Sequence, residues 1–150
     1  MRNLTWLLLL PAMVSAANIV IDPELSFGTI AISDYYQNGS LIVSQSTGVK
    51  ASGSILVVSP GHPAEVYLSD FPASTQLAID FVSAPVEFRG DNGIAQQALW
   101  LRQLEHPDTI YTDSVGSAAF KVGGTLYFEG QGSTITDGTN TVTISININY

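Results

Sequence analysis

The amino-acid sequence predicts an all-β protein, an antiparallel β-sandwich in a single domain. Short runs rich in Val, Ile, Thr and aromatic residues recur along the chain, with Gly, Asn, Asp and Pro residues at their borders. No long segment keeps the period of an amphipathic helix. Many short strands in a chain of 150 residues are typical of a sandwich. The clearest runs are 18–22, 25–32, 40–44, 54–59, 64–68, 77–81, 118–128 and 141–150.

The last ten residues alternate polar and apolar side chains without a break, as a half-buried β-strand does. The segment has neither proline nor a charged side chain, so an unpaired copy would be a template for other strands. We therefore expect protein to pair it and to cover its apolar face, and the partner is either the same chain or another. The predicted strand-pairing face comprises Val142, Ile144, Ile146, Ile148 and Tyr150.

The run 25–32 changes phase within its length. Leu25 and Phe27 occupy odd positions, whereas Ile30 and Ile32 occupy even positions. The phase slips at Gly28, which predicts a β-bulge or bend where the strand crosses from one sheet to the other.

The first residues predict export. Residues 1–3 carry the positive Arg2, residues 4–10 are apolar except for Thr5, and residues 14–17 include the small side chains that a signal peptidase reads. The apolar run is shorter than the roughly 20 residues that span a membrane. We expect cleavage after Ala16 or Ala17, which leaves residues 17–150 as one β-sandwich domain. No second apolar span follows, so we expect a protein without a membrane span in the periplasm, at the cell surface or secreted.

The cysteine content and the net charge limit which metals and macromolecules the protein is expected to bind. The chain has no cysteine, so disulfides and thiolate metal sites are excluded. Removal of Arg2 with the signal peptide leaves four basic and thirteen acidic residues, a net charge near −9. Because phosphate binding needs clustered Lys and Arg, nucleic acid is not an expected partner. The favoured explanation for the excess of acidic residues is that they keep the protein soluble.

No pattern for catalysis stands out. His62 and His106 each stand beside a proline, and neither has a second histidine or a carboxylate at metal-ligand spacing. The sequence shows no nucleophile elbow, phosphate loop or zinc signature. We therefore predict a protein that is not an enzyme and has no cofactor.

Two other groups of residues are weaker candidates for binding. Carboxylates at Glu105, Asp108 and Asp113 suit a calcium ion, but their spacing matches no calcium loop, and solvated turns are the favoured interpretation. Tyr35 and Tyr36 lie on a polar connection where a binding module presents rings to a ligand. The favoured alternative is that one of these rings plugs the open end of the sandwich. Asn38-Gly39 is the pair most typical of a tight turn.

Several motifs resemble a family of exported bacterial domains, domain of unknown function 4402. In order along the chain they are 25–30 (Leu-Ser-Phe-Gly-Thr-Ile), 122–126 (Val-Gly-Gly-Thr-Leu) and the terminal run 146–150. Residues 39–70 also follow the family's order of strand, Gly/Ser turn and strand.

The segment 95–105 is ambiguous when its own sequence is considered, because its Ala and Gln residues favour a helix. When the chain is lined up with the family's motifs, residues 98–107 fall where the family has a strand. The resemblance therefore predicts a strand here, with the Trp100 ring in the core.

The resemblance implies an immunoglobulin-like fold, similar to subunits of surface fibres built by chaperone and usher proteins. In such fibres a strand from a neighbour fills an open groove in each domain. Here Ile19 and Ile21 are the only alternating anchors before Pro23, so a domain that completes itself is the alternative to polymerisation.

The predicted function is therefore a non-enzymatic structural or adhesive subunit of a pilus-like bacterial surface assembly, joined by β-strand complementation, with a periplasmic chaperone or sister subunits as partners. The alternative is a self-sufficient secreted module that binds carbohydrate or calcium.

Overall fold

A computed structural model describes residues 16–81, 86–132, 135 and 137–150. Apart from Ala16, the predicted signal peptide lies outside these residues. Within these residues the chain forms β-strands and no helix, which confirms the all-β prediction. The described residues therefore contain no membrane-spanning helix. The strands are β1 (Asn18–Ile21), β2 (Ser26–Ile32), β3 (Gly39–Ser44), β4 (Gly48–Gly53), β5 (Ile55–His62), β6 (Ala64–Ser69), β7 (Gln76–Phe81), β8 (Val86–Gly90), β9 (Ala95–Glu105), β10 (Thr109–Tyr111), β11 (Ala118–Phe128), β12 (Asn140–Thr141) and β13 (Ile146–Asn149).

The strands form one large and two small antiparallel sheets. The large sheet has eight strands, in the order β1-β6-β11-β9-β8-β12, and β3 joins it by pairing with both β11 and β4. The small sheets are β10-β7-β13 and β2-β5. The long strand β11 is shared: residues 118–122 pair with β6, and residues 124–128 pair with β3.

Two clusters of buried side chains form the core. The first cluster lies between the large sheet and the β2-β5 sheet, and the second lies between the large sheet and the β10-β7-β13 sheet. β11 contributes to both, because its alternate apolar residues face inward along its whole length. Burial of one such side chain contributes about 1.5–3 kcal/mol. The first cluster is Leu41, Ile55, Phe88, Ala98, Leu99, Leu101, Leu126 and Phe128, and the second is Ala64, Val66, Leu68, Phe71, Leu77, Ile79, Phe120 and Val122.

The predicted irregularity at Gly28 is confirmed. Gly28 has a φ of 77°, and the register between β2 and β5 shifts immediately after it, between Thr29 and Ile30. Val58 of β5 is the extra residue, since Thr29 faces Ser59 and Ile30 faces Val57. β2 pairs with β5 on both sides of the shift, so the predicted crossing between sheets is wrong.

The ambiguous segment 95–105 is a strand, as predicted from the resemblance, but the placement of Trp100 is wrong. Leu99 and Leu101 are buried in the first cluster, and Trp100 between them points to the opposite face of the large sheet, where it is only half-buried. The pairing of β8 with β9 is irregular between Glu87 and Arg89, which shifts the inward positions of β9. The sequence of β9 alone does not show this shift.

The turn predicted at Asn38-Gly39 forms earlier in the chain. The backbone N–H of Gln37 donates to the carbonyl of Asp34, and the Asp34 carboxylate accepts from the N–H of Tyr36 at 2.8 Å. The Asn38 side chain instead accepts a hydrogen bond from the distant Gly130 N–H at 2.9 Å, and Gly39 begins β3. This long-range bond replaces the predicted local turn.

The bulge provides a test of the β2-β5 pairing. A Cβ at Gly28 would lie 2.2 Å from the Ser59 carbonyl oxygen, so Gly28→Ala is expected to lower the free energy of unfolding by about 3 kcal/mol or more. Gly48 has a similar positive φ but open space around it, so Gly48→Ala is expected to cost only about 1–2 kcal/mol. Urea unfolding measures both values, and equal losses would contradict the close approach at Gly28.

Candidate strand-exchange site

The predicted C-terminal strand is divided between two sheets. β12 pairs with β8 in the large sheet, β13 pairs with β7 in a small one, and residues 142–145 between them are not strand. The prediction of one unbroken strand is therefore wrong.

The predicted alternation of faces holds from Val142 to Ile148 but not at Tyr150, which is mostly exposed. Val142 and Ile144 pack against the first cluster, and Ile146 and Ile148 pack against the second, while the polar residues between them are exposed. The tail therefore runs along both halves of the core, and its own chain covers its apolar face.

Tyr150 extends the same face beyond β13. Its side chain is 71% exposed, yet its ring meets the ring of Phe71 edge-on at a centroid distance of 5.5 Å. Such an edge-to-face contact contributes about 0.5–1.5 kcal/mol. The contact ties the last residue to the segment that follows β6.

β1 differs from the tail in how it is held. It pairs antiparallel with β6, with Asn18 opposite Ser69 at one end and Ile21 opposite Val66 at the other. Two further main-chain bonds extend the pairing, from Asp22 N to Glu65 O and from Glu65 N to Pro23 O, both 3.0 Å. In the described part of the chain, neither cluster includes a β1 side chain. Backbone hydrogen bonds therefore hold β1 along its whole length, while its side chains lie outside both clusters.

The apolar side chains of β1 remain open to solvent. Ile19, Val20 and Ile21 are 39%, 47% and 42% exposed. Ile19 and Ile21 stand opposite the buried Leu68 and Val66, so they share the inner face of β6 at the rim of the second cluster. β1 ends the strand order of the large sheet, so among the described strands it has only β6 as a partner. An apolar edge strand of this kind is an available element for pairing with another chain.

The outer face beside β1 carries a small polar network. Val20 stands opposite Tyr67, whose hydroxyl donates to Glu65, and Lys121 contacts the same carboxylate at 3.2 Å. The Tyr67 hydrogen bond, followed by the Lys121 hydrogen bond and charge, lowers the pKa of Glu65, and the same Glu65 raises the pKa of Tyr67. The network fixes the Tyr67 ring next to Val20. Sequence reasoning missed this pair, although three consecutive apolar residues at 19–21 signal that β1 presents both faces.

The two predicted tyrosines have different environments. Tyr35 packs against the first cluster, with its ring edge-on to Phe128 at a centroid distance of 6.0 Å. Tyr36 is 80% exposed and lies over Gly132. The structure favours the interpretation of Tyr35 as a plug and leaves only Tyr36 accessible to a ligand.

The predicted acidic and histidine candidates are spread over separate elements. Among the described residues, no group of three or more His, Cys, Asp and Glu side chains comes together in a way that could hold a metal ion. The Glu105 carboxylate accepts from the Gln45 N–H at 3.1 Å. His62 is exposed at the end of β5, and the His106 ring packs on Phe81 at a centroid distance of 4.7 Å.

Asp113 has a structural role in the loop before β11. Its carboxylate accepts hydrogen bonds from the N–H groups of Val115 at 2.9 Å and Ser117 at 2.8 Å. These bonds, with that from Ser117 the larger contribution, lower the pKa of Asp113 below its ordinary value of 3.8. The carboxylate organises its own loop.

The antiparallel sheets of the described residues define this protein as an all-β domain. The sequence matches the family described as domain of unknown function DUF4402 over residues 18–150, so the chain belongs to that family. The comparisons with curated proteins and with solved structures found no match.

The tail and β1 are expected to respond differently to a buried charge. Ile148→Asp places a carboxylate against the second cluster and is expected to lower the free energy of unfolding by about 3 kcal/mol. Asn147→Asp on the exposed face is the matched control and is expected to change it by less than about 0.5 kcal/mol. Ile19→Asp is expected to cost less than about 1 kcal/mol. Thermal or urea unfolding measures all three, and a large loss for Asn147→Asp would reverse the assigned faces.

Asp113 predicts a pH dependence. Because its folded pKa is below the unfolded value, its stabilisation is present above the unfolded pKa and is lost as the pH falls through the folded pKa. The free energy of unfolding of Asp113→Asn is therefore expected to fall less than that of the wild type between about pH 5 and pH 2. Parallel profiles for Asp113→Asn and wild type would argue against the loop role.

Proposed function

We propose that this protein is a non-enzymatic structural or adhesive subunit of a pilus-like bacterial surface assembly, in which β1 of one copy pairs with β6 of the next. The observation that carries the proposal is the combination of exposed apolar side chains and main-chain pairing at β1. Strand addition uses this combination, because backbone hydrogen bonds supply affinity and alternate side chains supply specificity.

Exchange at β1 has a low free-energy cost. The same four register pairs with β6 form whether β1 belongs to the same chain or to a neighbour. The β1 side chains belong to neither core cluster of the described residues, and Ile19 and Ile21 lie only at the rim of the second cluster, so release of β1 exposes less apolar surface than release of the tail would. The balance between a closed monomer and an exchanged assembly then depends on protein concentration.

The length of β1 defines the kind of exchange. Four residues extend only about 13 Å at 3.3 Å per residue. β1 therefore matches the edge of β6 and does not span a whole domain. We propose an edge addition, in which the receiving domain already has its tail strand in place.

The predicted export signal and the resemblance to subunits of chaperone-and-usher fibres support a location outside the cytoplasm. The same resemblance supports an immunoglobulin-like arrangement of the two layers, with a periplasmic chaperone or sister subunits as partners. The alternative of a ligand-binding module based on the two tyrosines loses support at Tyr35, because its ring packs on the core.

The absence of native cysteine makes the exchange directly testable. Val20 and Tyr67 stand opposite each other, and residues opposite in an antiparallel pair lie about 4.5–5.5 Å apart at Cα, within disulfide range. Chains carrying only Val20→Cys are mixed with chains carrying only Tyr67→Cys under oxidising conditions. A covalent heterodimer on non-reducing gels is expected if β1 of one copy occupies β6 of another.

Leu56→Cys is the matched control, because Leu56 is also an exposed apolar residue but lies on β5, which does not pair with β1. Mixing it with Val20→Cys measures random collision. A Val20→Cys and Tyr67→Cys mixture that yields no more heterodimer than this control would contradict the exchange.

A further inference from the structure

The sequence contains two Asn-Gly pairs, and the structure places them in opposite environments. Asn38-Gly39 leads into β3, whereas Asn92-Gly93 lies at the tip of the hairpin between β8 and β9. In such a pair the glycine amide nitrogen can attack the carbonyl carbon of the asparagine side chain, since glycine has no Cβ to hinder the approach. The freedom of each pair decides whether this attack occurs in the folded protein.

The pair Asn38-Gly39 is held in place on both sides. The Asn38 side chain accepts a hydrogen bond from the Gly130 N–H at 2.9 Å. Gly39 is buried in β3, with Gly53 of β4 opposite it on one side and Phe128 of β11 on the other. Its backbone therefore cannot rotate towards the Asn38 side chain unless the end of β3 separates from its neighbours.

The pair Asn92-Gly93 is exposed and has room to move. Gly93 has a φ of 74° and no atom within 4 Å of the place where a Cβ would stand. Its N–H donates to the Gly90 carbonyl at 2.8 Å, so attack by this nitrogen requires the loss of one turn hydrogen bond at the surface. Exposed loops open at a lower free energy than paired strands.

The same turn prepares the Asn92 carbonyl for attack. The Ile94 N–H donates to Asn92 Oδ1 at 3.0 Å. Negative charge develops on this oxygen when the Gly93 nitrogen adds to Cγ, and a donor that is already aimed at the oxygen stabilises that charge. Both reacting groups belong to adjacent residues, so the ring closure needs no encounter with a second molecule.

We propose that Asn92 is a self-modification site, at which the Gly93 nitrogen displaces the side-chain amide. A bond forms between the Gly93 nitrogen and Asn92 Cγ, the bond from Cγ to the amide nitrogen breaks, and ammonia leaves with the former Gly93 proton. Water then opens the cyclic imide. Attack of water at Cγ gives aspartate, and attack at the main-chain carbonyl gives isoaspartate. The site is independent of strand exchange at β1.

The modification acts on the strand that begins the tail. The Asp91 carboxylate accepts from the Thr139 N–H at 3.2 Å, just before the short strand β12 pairs with β8. The bond from the Gly90 N–H to the Ile94 carbonyl, 3.0 Å long, closes the turn that carries Asp91. Isoaspartate adds a carbon to the main chain within this turn, and the new carboxylate lies beside Asp91. We expect the modified turn to hold β12 less firmly.

Peptide mapping by mass spectrometry tests the site. Folded protein is incubated at mildly alkaline pH, and both asparagines are followed with time. We expect Asn92 to convert at least about tenfold faster than Asn38, which corresponds to a difference of about 1.4 kcal/mol in activation free energy. In urea-unfolded protein the two are expected to convert at similar rates. Gly93→Ala is the matched variant: the added Cβ meets open space in the fold but hinders the attack, so we expect slower conversion of Asn92.

Amide hydrogen exchange at residues 139–141 tests the effect on β12. Aged protein is compared with fresh protein and with Asn92→Asp, which carries the new charge without the extra main-chain carbon. Exchange is expected to be fastest in the aged protein. The proposal is overturned if Asn38 and Asn92 convert equally fast in the folded protein, if Gly93→Ala does not slow the conversion, or if exchange at residues 139–141 is the same in aged and fresh protein.

Discussion

The shared strand β11 sets the frame for the whole molecule. Its first half packs Phe120 and Val122 into the second cluster, and its second half packs Leu126 and Phe128 into the first. Leu104 of β9 packs against both clusters and reinforces the link. Because each small sheet covers only one cluster, the burial of β11 joins the two halves into one domain. β6, and through it the edge strand β1, takes its position from the register of β11.

The two ends of the described chain are held by different physical interactions. The tail buries alternate apolar side chains along both clusters, so its removal would expose the core. β1 contributes main-chain pairing to β6 and leaves its isoleucines about two-fifths exposed, at 39% and 42%. Elements with few buried apolar contacts open at a lower free energy than the rest of a structure. This difference makes β1 the exchangeable strand in our proposal and the tail a permanent part of the domain.

Local patterns predicted the features that depend on local sequence. Alternation identified which tail residues face inward, and the phase change identified the bulge after Gly28. The failures came from long-range register. Trp100 faces outward because an irregular β8-β9 pairing decides which positions of β9 are buried, and Asn38 bonds to Gly130 far along the chain. The tail divides between two sheets because of its pairing with β8 and β7, so its own sequence does not show the division.

The central claim is that β1 opens independently of a core that includes the tail. Native-state amide hydrogen exchange, followed residue by residue in the monomer, tests this most directly. The account predicts that amides of β1 exchange about a hundredfold faster than those of β11 and β13, a difference of about 2.7 kcal/mol in opening free energy. It also predicts that this exchange does not depend on global unfolding. Protection of β1 equal to that of β11 would contradict the account.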